Sequence, residues 1–377
     1  MGKIHVWEAV ATLTGTIIGA GVLGIPYVMA QAGFLTGILV LALLGGVILT
    51  VNLCVGEITL RTKEKHQLTG YVATYLGPGG RWTMTVAMVV ANYGALMAYL
   101  IAEGSSLAAL FGGDPWLWSA GFFIVGSLII YRGLVAVGVS ELVLSTAKFT
   151  AFFTVVLLAL FSNVFTAEHL AGFDITKLFV PYGVMLFAFL GAIAIPEMRQ
   201  ELSKHPRDLK KSIILGSVIP LLVYAVFGLA IVGVTGLGTT EIANVGIGRA
   251  LGLPALIAAN LFAILSMATA FIAIALGLKQ MYELDYHFRP IFAFGATMLL
   301  PPLLILAGIH SFIMILGVSG AVAGGLEGIL LVMTYWKART RGNRMPEYKL
   351  RLPVPALVLL IAVFALGAVL TMRGLLV

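Results

Sequence analysis

Residues 15–26, with the sequence GTIIGAGVLGIP, constrain what this chain can fold into more than any other stretch. They lie in the first apolar segment and hold four glycines and a proline. Glycine costs about 1 kcal/mol in a helix interior and proline about 3 kcal/mol. Unpaired backbone groups cost several kcal/mol more in lipid, so a break is tolerated only where protein or water covers it. The stretch therefore predicts an interrupted membrane helix, although Gly15 and Gly19 also fit the spacing of close helix packing.

The composition of the rest of the chain is that of a membrane protein. Of 377 residues, 60% are hydrophobic and only 10% are charged, whereas soluble domains carry about 25% charged residues. We predict an all-α integral membrane protein that is a single transmembrane domain over residues 1–377. Eleven segments have membrane length, namely residues 6–31, 34–60, 82–111, 116–132, 139–165, 178–201, 210–234, 252–281, 290–308, 311–336 and 353–374.

Lysine and arginine residues fall on one side of these predicted spans. With a cytoplasmic N-terminus, only Lys177, Arg249 and Arg373 of the 23 basic residues lie outside, and Lys148 lies within a span. Cytoplasmic loops carry the excess of Lys and Arg in membrane proteins. The pattern predicts a protein of the cell (plasma) membrane with a cytoplasmic N-terminus and an extracellular C-terminus.

The sixth predicted span repeats the interruption of the first. Its residues 187–197, FAFLGAIAIPE, place a glycine and a proline near mid-depth. An odd number of spans separates the two starts, so the sixth span runs opposite to the first. Interrupted helices at matching places in two halves point to a transporter site. We expect inverted repeats over residues 1–165 and 178–336, followed by an extra helix at 353–374.

These two motifs resemble a known group of transporters. The stretch 15–26 is similar to the first-helix signature of the amino acid–polyamine–organocation (APC) superfamily, nearest to its amino acid/auxin permease and hydroxy/aromatic amino acid permease branches. The segment 187–191, followed by Pro196, Glu197 and Glu201, resembles the sixth helix of the same group. The resemblance implies the LeuT-type fold of five plus five inverted helices and the transport of amino acids.

The resemblance also implies where the substrate binds. The substrate carboxylate would lie on the amides of the first break, and its ammonium on carbonyls of both breaks, with Phe187 as an aromatic gate. Both charges of a zwitterion would thus be met by helix ends. The candidate substrate-binding residues are Ile17, Gly19, Ala20, Gly21, Phe187, Ala188, Leu190 and Gly191, with Asn92 on the third span as either a pocket or a packing residue.

Two charged residues within predicted spans are candidates for coupling. Lys148 lies about 13 Å deep in the fifth span and is too costly there to be incidental. In proton-coupled and exchanging members of the superfamily, a lysine resembling Lys148 takes the place of a sodium ion beside the broken first helix; a structural pairing is the other interpretation. Glu327, in the tenth span, is either a second proton carrier or a structural acid bonded to a neighbouring helix.

A sodium site is the alternative means of coupling. Hydroxyls of Ser266 and Thr269 on the eighth span would complete a sodium shell with carbonyls of Ile17 and Ala20, as in sodium-coupled relatives of the superfamily. Such hydroxyls more often bond their own helix backbone. Lys148 and a sodium ion at one place would repel each other, so the sequence favours proton coupling.

The other functional classes are a poor match for this sequence. It holds no phosphate loop, nucleophile elbow or metal-spaced His/Cys cluster, so we expect neither an enzyme nor a cofactor, metal or nucleic-acid partner. We expect a secondary transporter of neutral amino acids, hydrophobic or aromatic ones among them, that works with H⁺, or alternatively Na⁺, in a lipid bilayer. An exchanger and a non-transporting amino acid sensor are the remaining alternatives.

The expected pocket wall is Phe187, Phe189, Leu190 and Ile193, and Glu103 is expected to reach the membrane interface.

Overall fold

The computed structural model describes residues 2–132 and 138–376, with side chains for residues 5–132 and 146–373. That part of the chain is helical and contains no β-strand, which confirms the predicted all-α class. Residues 1, 133–137 and 377 of the predicted single domain lie outside the described part, as do the side chains of residues 139–145 at the start of the predicted fifth span.

Fifteen α-helices follow one another along the described chain. They are α1 (Gly2–Ile17), α2 (Gly21–Ala32), α3 (Phe34–Arg61), α4 (Leu68–Phe111), α5 (Pro115–Arg132), α6 (Gly138–Leu160), α7 (Tyr182–Ala188), α8 (Ile195–Glu201), α9 (Leu209–Thr235), α10 (Ala243–Leu251), α11 (Leu253–Gln280), α12 (Pro290–Leu306), α13 (Phe312–Val318), α14 (Gly325–Arg341) and α15 (Val354–Leu376). Wider π-helical turns continue α11 over Met281–Asp285 and join α13 to α14 over Ser319–Gly324.

Seven helical stretches of the described chain are long and apolar enough to cross a membrane. The bent pair formed by α1 and α2 brings the number to eight when it is counted as one span. The predicted count of eleven spans therefore stays a prediction. The seven stretches are Phe34–Arg61, Leu68–Phe111, Tyr182–Glu201, Pro206–Gly238, Leu253–Asp285, Phe312–Arg341 and Val354–Arg373.

The first and sixth predicted spans are both interrupted. Helices α1 and α2 meet at an angle of 55° across residues 18–20. Helix α7 ends at Ala188, and a short 3₁₀ turn at Ala192–Ala194 leads into α8. Helix α2 packs against α7, and α1 packs against α8 and that 3₁₀ turn. The two interruptions therefore face each other in the middle of the bundle, as the motif comparison within the sequence predicted.

The other helices surround these two breaks. Helix α9 packs against α1, α2, α3 and α6, while α11 packs against α4, α6 and α10. Helix α14 lies on α3, α4 and α15, and the π turn before it lies on α7. Helix α4 changes direction at Gly77, whose φ of 78° is left-handed, before Pro78. The preceding turns, from Leu68, form a short helical segment ahead of the third predicted span.

Charged residues are paired at the end of the bundle where α3 finishes, which we call the basic end. The buried Glu57 carboxylate accepts hydrogen bonds from Arg61 at 2.7 Å and from the amide of Leu350. Glu57 is thus paired with Arg61, one turn further along α3. Nearby, Asn343 Nδ2 donates to Glu64 at 3.0 Å, and this bond lowers the pKa of that exposed loop carboxyl.

Two further arginines tie loops together at the basic end. Arg199 of α8 donates to the carbonyl of Thr62 at 2.8 Å and to the hydroxyl of Tyr71 at 3.1 Å. Arg344, in the loop between α14 and α15, donates to the carbonyl of Leu60 at 2.6 Å. The Arg199 contacts connect the second half of the broken sixth span to the segment that follows α3, and the Arg344 contact connects the loop after α14 to the end of α3.

Glycines allow the two breaks to approach each other closely. A Cβ built on Gly21 would lie 2.5 Å from Ala188 Cα, and one on Gly191 would lie 2.4 Å from Ile17 Cγ1. A Cβ on Gly19 would lie 2.5 Å from the Tyr99 hydroxyl, whereas one on Gly15 meets nothing within 4 Å. Close packing and helix interruption therefore both occur here, and Gly15 contributes to neither contact.

We predict opposite effects for alanine at Gly15 and at Gly21. Gly15→Ala should raise the free energy of unfolding by about 0.5–1 kcal/mol, because alanine is the better helix former and the space is open. Gly21→Ala should lower it by about 1–3 kcal/mol, because the new Cβ must displace the backbone of Ala188. Thermal unfolding of the purified proteins in detergent compares the two, and equal melting temperatures would contradict the close approach.

Candidate functional site

The first break exposes backbone groups in the middle of the bundle. The amide of Gly19 donates to the carbonyl of Ile17 at 2.9 Å, and the amide of Leu23 donates to the carbonyl of Ala20 at 3.0 Å. Within the described chain, no backbone carbonyl accepts from the amides of Ala20 or Gly21. These two amides stand at the start of α2, where the helix dipole is positive. The start of α2 is therefore suited to an anionic group.

The second break presents carbonyls. Helix α7 ends at Ala188, and the amide of Leu190 donates a hydrogen bond to the carbonyl of Phe187 at 3.0 Å. Helix α1 likewise ends at Ile17, on the other side of the site. The C-terminal end of a helix carries a negative partial charge. The site therefore brings together two helix ends with a negative partial charge and the start of α2, which has a positive one.

A closed cavity of about 20 Å³ lies between the two breaks. A space of this size holds about one water molecule, so side chains or half-helices must move before an amino acid can enter. Most of its lining residues are glycine or have apolar side chains, and one side of it is formed by successive turns of α4. Its lining residues are Thr16, Ile17, Gly21, Met88, Ala91, Asn92, Ala95, Tyr99, Phe187, Ala188, Leu190, Gly191, Ala192, Ile193, Ile274 and Glu327.

Most of the predicted binding residues lie on this cavity. The structure brings together Ile17, Gly21, Asn92, Phe187, Ala188, Leu190 and Gly191 in its lining. Gly19 and Ala20 are buried in the same break but do not line the cavity, because Tyr99 covers Gly19. The side-chain amide of Asn92 donates to the carbonyl of Met88 at 2.7 Å, so its nitrogen is engaged by its own helix.

Three of the four residues expected to form the apolar wall line the central cavity. Phe187, Leu190 and Ile193 line the cavity, whereas Phe189 points to the other side of the second break. There its ring packs 5.3 Å from the ring of Tyr224. The lining keeps an apolar character without Phe189, because Met88, Ala91, Ala95 and Ile274 complete it.

Two tyrosines that the motifs did not indicate belong to the site. Tyr99 lines the cavity from α4. The hydroxyl of Tyr224, on α9, donates to the carbonyl of Ile17 at 2.7 Å and to the carbonyl of Ala188 at 2.8 Å. Both side chains are buried. A tyrosine in an apolar span needs a hydrogen-bond partner for its hydroxyl. The presence of tyrosines in these spans is therefore the sequence signal that could have indicated them.

Glu327 lies where two cavities meet. It lines the central cavity and also a second cavity of about 10 Å³. The second cavity is bounded by Asn52, which donates to the Ser217 hydroxyl at 3.2 Å. A buried acid that lines two cavities in a membrane bundle is suited to exchanging a proton or to accepting a hydrogen bond from a substrate.

Lys148 is buried on α6, away from the lining of the central cavity. Its side chain is 2% exposed, and its Nζ lies 6.0 Å from the centre of the Phe149 ring. Helix α6 packs chiefly against α9 and α11. The expected position of the ammonium beside the carbonyls of the first break stays a prediction.

The two hydroxyls of the alternative sodium site differ in their bonding. Thr269 Oγ1 donates to the carbonyls of Leu265 and Ser266, each at 3.0 Å, as hydroxyls on membrane helices commonly do. The Ser266 hydroxyl is fully buried and has no hydrogen-bond partner among the described residues. Ser266 is therefore the member of this pair that could still receive a ligand.

The expectation for Glu103 is wrong. Its side chain is 1% exposed rather than at the membrane interface, and its Oε2 has no hydrogen-bond partner in the described chain. Glu103 follows Tyr99 by one turn on α4, so the two side chains share a face. Interior packing of α4 explains the difference, since the surrounding residues Leu100 and Ala102 are also buried.

Comparison with solved structures identifies the fold. The crystal structure of MhsT in complex with L-phenylalanine matches with a TM-score of 0.73 over 97% of both chains, at 14% identity. A manganese transporter from Eremococcus coleocola matches with a TM-score of 0.71 over 97% of this chain and 85% of its own, also at 14% identity. The chain therefore has the LeuT-type fold, as expected.

Comparison with curated proteins points to permeases rather than enzymes. Tyrosine-specific transport system 1 of Haemophilus influenzae is 29% identical over 89% of this chain and 88% of its own length. Glutamine transporter 2 of Aliivibrio fischeri is 24% identical, over 82% and 83%. The tryptophan-specific transport protein of Shigella flexneri is 24% identical, over 59% and 56%.

One family model spans nearly the whole chain, including both helix breaks and every residue of the central cavity. It matches residues 3–372. The APC-type resemblance of the two motifs thus extends to the full length, and the chain belongs to the tryptophan/tyrosine permease family.

Proposed function

We propose that this protein is a secondary active transporter of neutral amino acids, aromatic ones in particular, which works by alternating access. The observation that carries the proposal is the closed cavity between two broken helices, with an apolar lining and helix ends of both signs. A zwitterionic amino acid needs partial charges of both signs at one end of its site, and an aromatic side chain needs an apolar wall. Relatives named for tyrosine and tryptophan, and a structural neighbour bound to phenylalanine, support this substrate class.

The proposed binding pose follows the charges of the helix ends. The substrate carboxylate lies at the start of α2, near the amides of Ala20 and Gly21, and the ammonium lies near the ends of α1 and α7. The side chain extends between Phe187 and the α4 face that carries Met88. This arrangement does not need a charged protein side chain at the carboxylate.

The proposed orientation places the basic end in the cytoplasm. Arg61, Arg199 and Arg344 gather at this end of the bundle, in agreement with the positive-inside rule. The N-terminus is then cytoplasmic and the C-terminus extracellular, in the cell membrane. The inverted repeats 1–165 and 178–336 supply one broken span each, and 353–374 adds the last helix.

Coupling to protons is the mode that we propose, with Lys148 as the fixed positive charge near the first break and Glu327 as a further proton carrier. The burial of both residues supports this role, because ionisable groups inside a membrane bundle are costly to keep without a function. Loss of the Lys148 proton would weaken the attraction between α6 and the end of α1, which would then be released to open the site inward.

Sodium coupling is the second candidate, and the bare Ser266 hydroxyl favours it. A sodium ion would take this oxygen together with carbonyls of Ile17 and Ala20. A sensor that binds an amino acid without moving it is compatible with the same cavity. Vesicles separate these possibilities, because a sensor binds labelled substrate without accumulating it over time.

We predict that tyrosine, tryptophan or phenylalanine will stabilise the purified protein more than any charged amino acid. A ligand at 100 times its dissociation constant stabilises the native state by about 2.7 kcal/mol. Thermal unfolding in the presence of each of twenty amino acids measures this effect. Stabilisation by Arg, Lys, Asp or Glu alone would exclude the proposed substrate class.

For coupling, we predict that Lys148→Ala will reduce proton-driven uptake at least about tenfold, equivalent to about 1.4 kcal/mol. The reason is that the variant lacks the fixed charge near the first break. The control is Lys210→Ala, which removes an exposed lysine and should leave uptake unchanged. The measurement is uptake of labelled amino acid into vesicles with an inward proton gradient, with and without a protonophore.

A different result would identify the sodium-coupled alternative. Accumulation that requires Na⁺ at constant pH, together with unchanged uptake by Lys148→Ala, would overturn proton coupling. In that case Ser266→Ala should raise the Na⁺ concentration needed for half-maximal uptake by about tenfold, because it removes one of the oxygen ligands. Wild-type activity under both conditions serves as the reference.

A further inference from the structure

The hydroxyl of Tyr224 bonds to both helix breaks at once. It lies 2.7 Å from the carbonyl oxygen of Ile17 and 2.8 Å from that of Ala188. The side chain of Tyr224 is fully buried. A tyrosine hydroxyl has a single proton to donate. The two carbonyl oxygens therefore share that proton and lie on either side of the same oxygen atom.

These carbonyls are the ends of two helices. Ile17 is the last residue of α1, and Ala188 is the last residue of α7. Each C-terminal end carries a partial charge of about −0.5. Two negative ends held this close repel each other. The Ile17 carbonyl also accepts from the Gly19 amide, whereas the Ala188 carbonyl would lose its hydrogen bond in an apolar bundle without the Tyr224 hydroxyl. This point in the structure therefore needs a donor or a positive charge.

Packing fixes Tyr224 in place. Its ring lies 5.3 Å from the Phe189 ring, and α9 packs against both α1 and α2. The carbonyl of Ala188 is held against the first break by the close approach of Gly21. The donor therefore belongs to a helix outside the two broken ones, and its position does not depend on a diffusing ion.

We propose that Tyr224 is a positioning residue whose hydroxyl takes the place of a monovalent cation between the two helix breaks. The inference rests on the proposed transport function. Unwound carbonyls at broken helices are the ligands with which a transporter binds such a cation. In this chain a neutral donor satisfies them instead. The negative partial charge of the two helix ends is then only partly compensated, and the remainder attracts the substrate ammonium.

The test uses the Tyr224→Phe variant of the full chain in vesicles and in detergent. Loss of the hydroxyl leaves two carbonyl oxygens directed at one point, where Na⁺ or Li⁺ can bind. With choline as the only cation, uptake by the variant should fall at least about tenfold, equivalent to about 1.4 kcal/mol. Na⁺ or Li⁺ should restore the uptake and should also raise the melting temperature of the variant.

Wild-type protein and Tyr182→Phe are the controls. The Tyr182 hydroxyl donates to the carbonyl of Val363 at 3.3 Å and lies outside the central cavity lining. Neither protein should acquire a melting temperature or an uptake that depends on replacing choline with Na⁺ or Li⁺. Failure of wild-type uptake would refute the transport proposal, whereas the melting temperature of Tyr224→Phe tests this inference separately.

Three outcomes would overturn the inference. They are unchanged uptake by Tyr224→Phe in choline, a melting temperature of the variant that ignores the cation, and loss of folded variant in every salt. A second variant, Tyr224→Lys, provides a built-in cation of similar reach. It should be folded and insensitive to Na⁺ and Li⁺, and a cation requirement equal to that of Tyr224→Phe would contradict the proposed role.

Discussion

The pairing of backbone groups at the two helix breaks is the constraint on which the rest of the bundle depends. A continuous membrane helix satisfies its own amides and carbonyls, and an interrupted one cannot. Here the ends of α1 and α7 are satisfied from outside, by a hydroxyl on α9. The arrangement of α9 against α1, α2 and α3 can be understood as the scaffold that delivers this hydroxyl.

At the two breaks, close packing of the backbones is combined with backbone groups that can bind a ligand. Gly21 and Gly191 let the backbones approach to distances that a side chain would prevent. The same approach leaves a cavity of only about 20 Å³. A cavity of this size is too small for an amino acid, so in the proposed transport cycle the half-helices separate when the substrate binds. Part of the binding energy then drives the conformational change.

Local sequence signals predicted the parts of this structure that are set within a few residues. The glycines and prolines of residues 15–26 and 187–197 predicted both breaks, and six of the eight binding candidates that the family resemblance assigned to these motifs lie in the cavity lining. Gly19 and Ala20 were included because their amides lie in the break, but Tyr99 covers that side.

The same local signals did not predict contacts between residues that are far apart in the sequence. Tyr224 bonds to a carbonyl 207 positions earlier in the chain, and no spacing rule connects the two. Glu103 was placed at the membrane interface because it is near the end of a span, whereas interior packing buries it. The orientation of Phe189 depends on the rotation of α7 within the bundle, which a break motif does not specify.

The two cavities that meet at Glu327 have a consequence for the efficiency of energy conversion. Leu190, Gly191 and Ala192 line both cavities, so the second break is also the partition between them. A partition one backbone segment thick separates the central space from the polar pair Asn52 and Ser217. Local opening of this segment without the rest of the bundle would join the two spaces. In the proposed gradient-driven transport, such an opening would let ions or water leak through and would lower the amount of substrate moved per coupling ion.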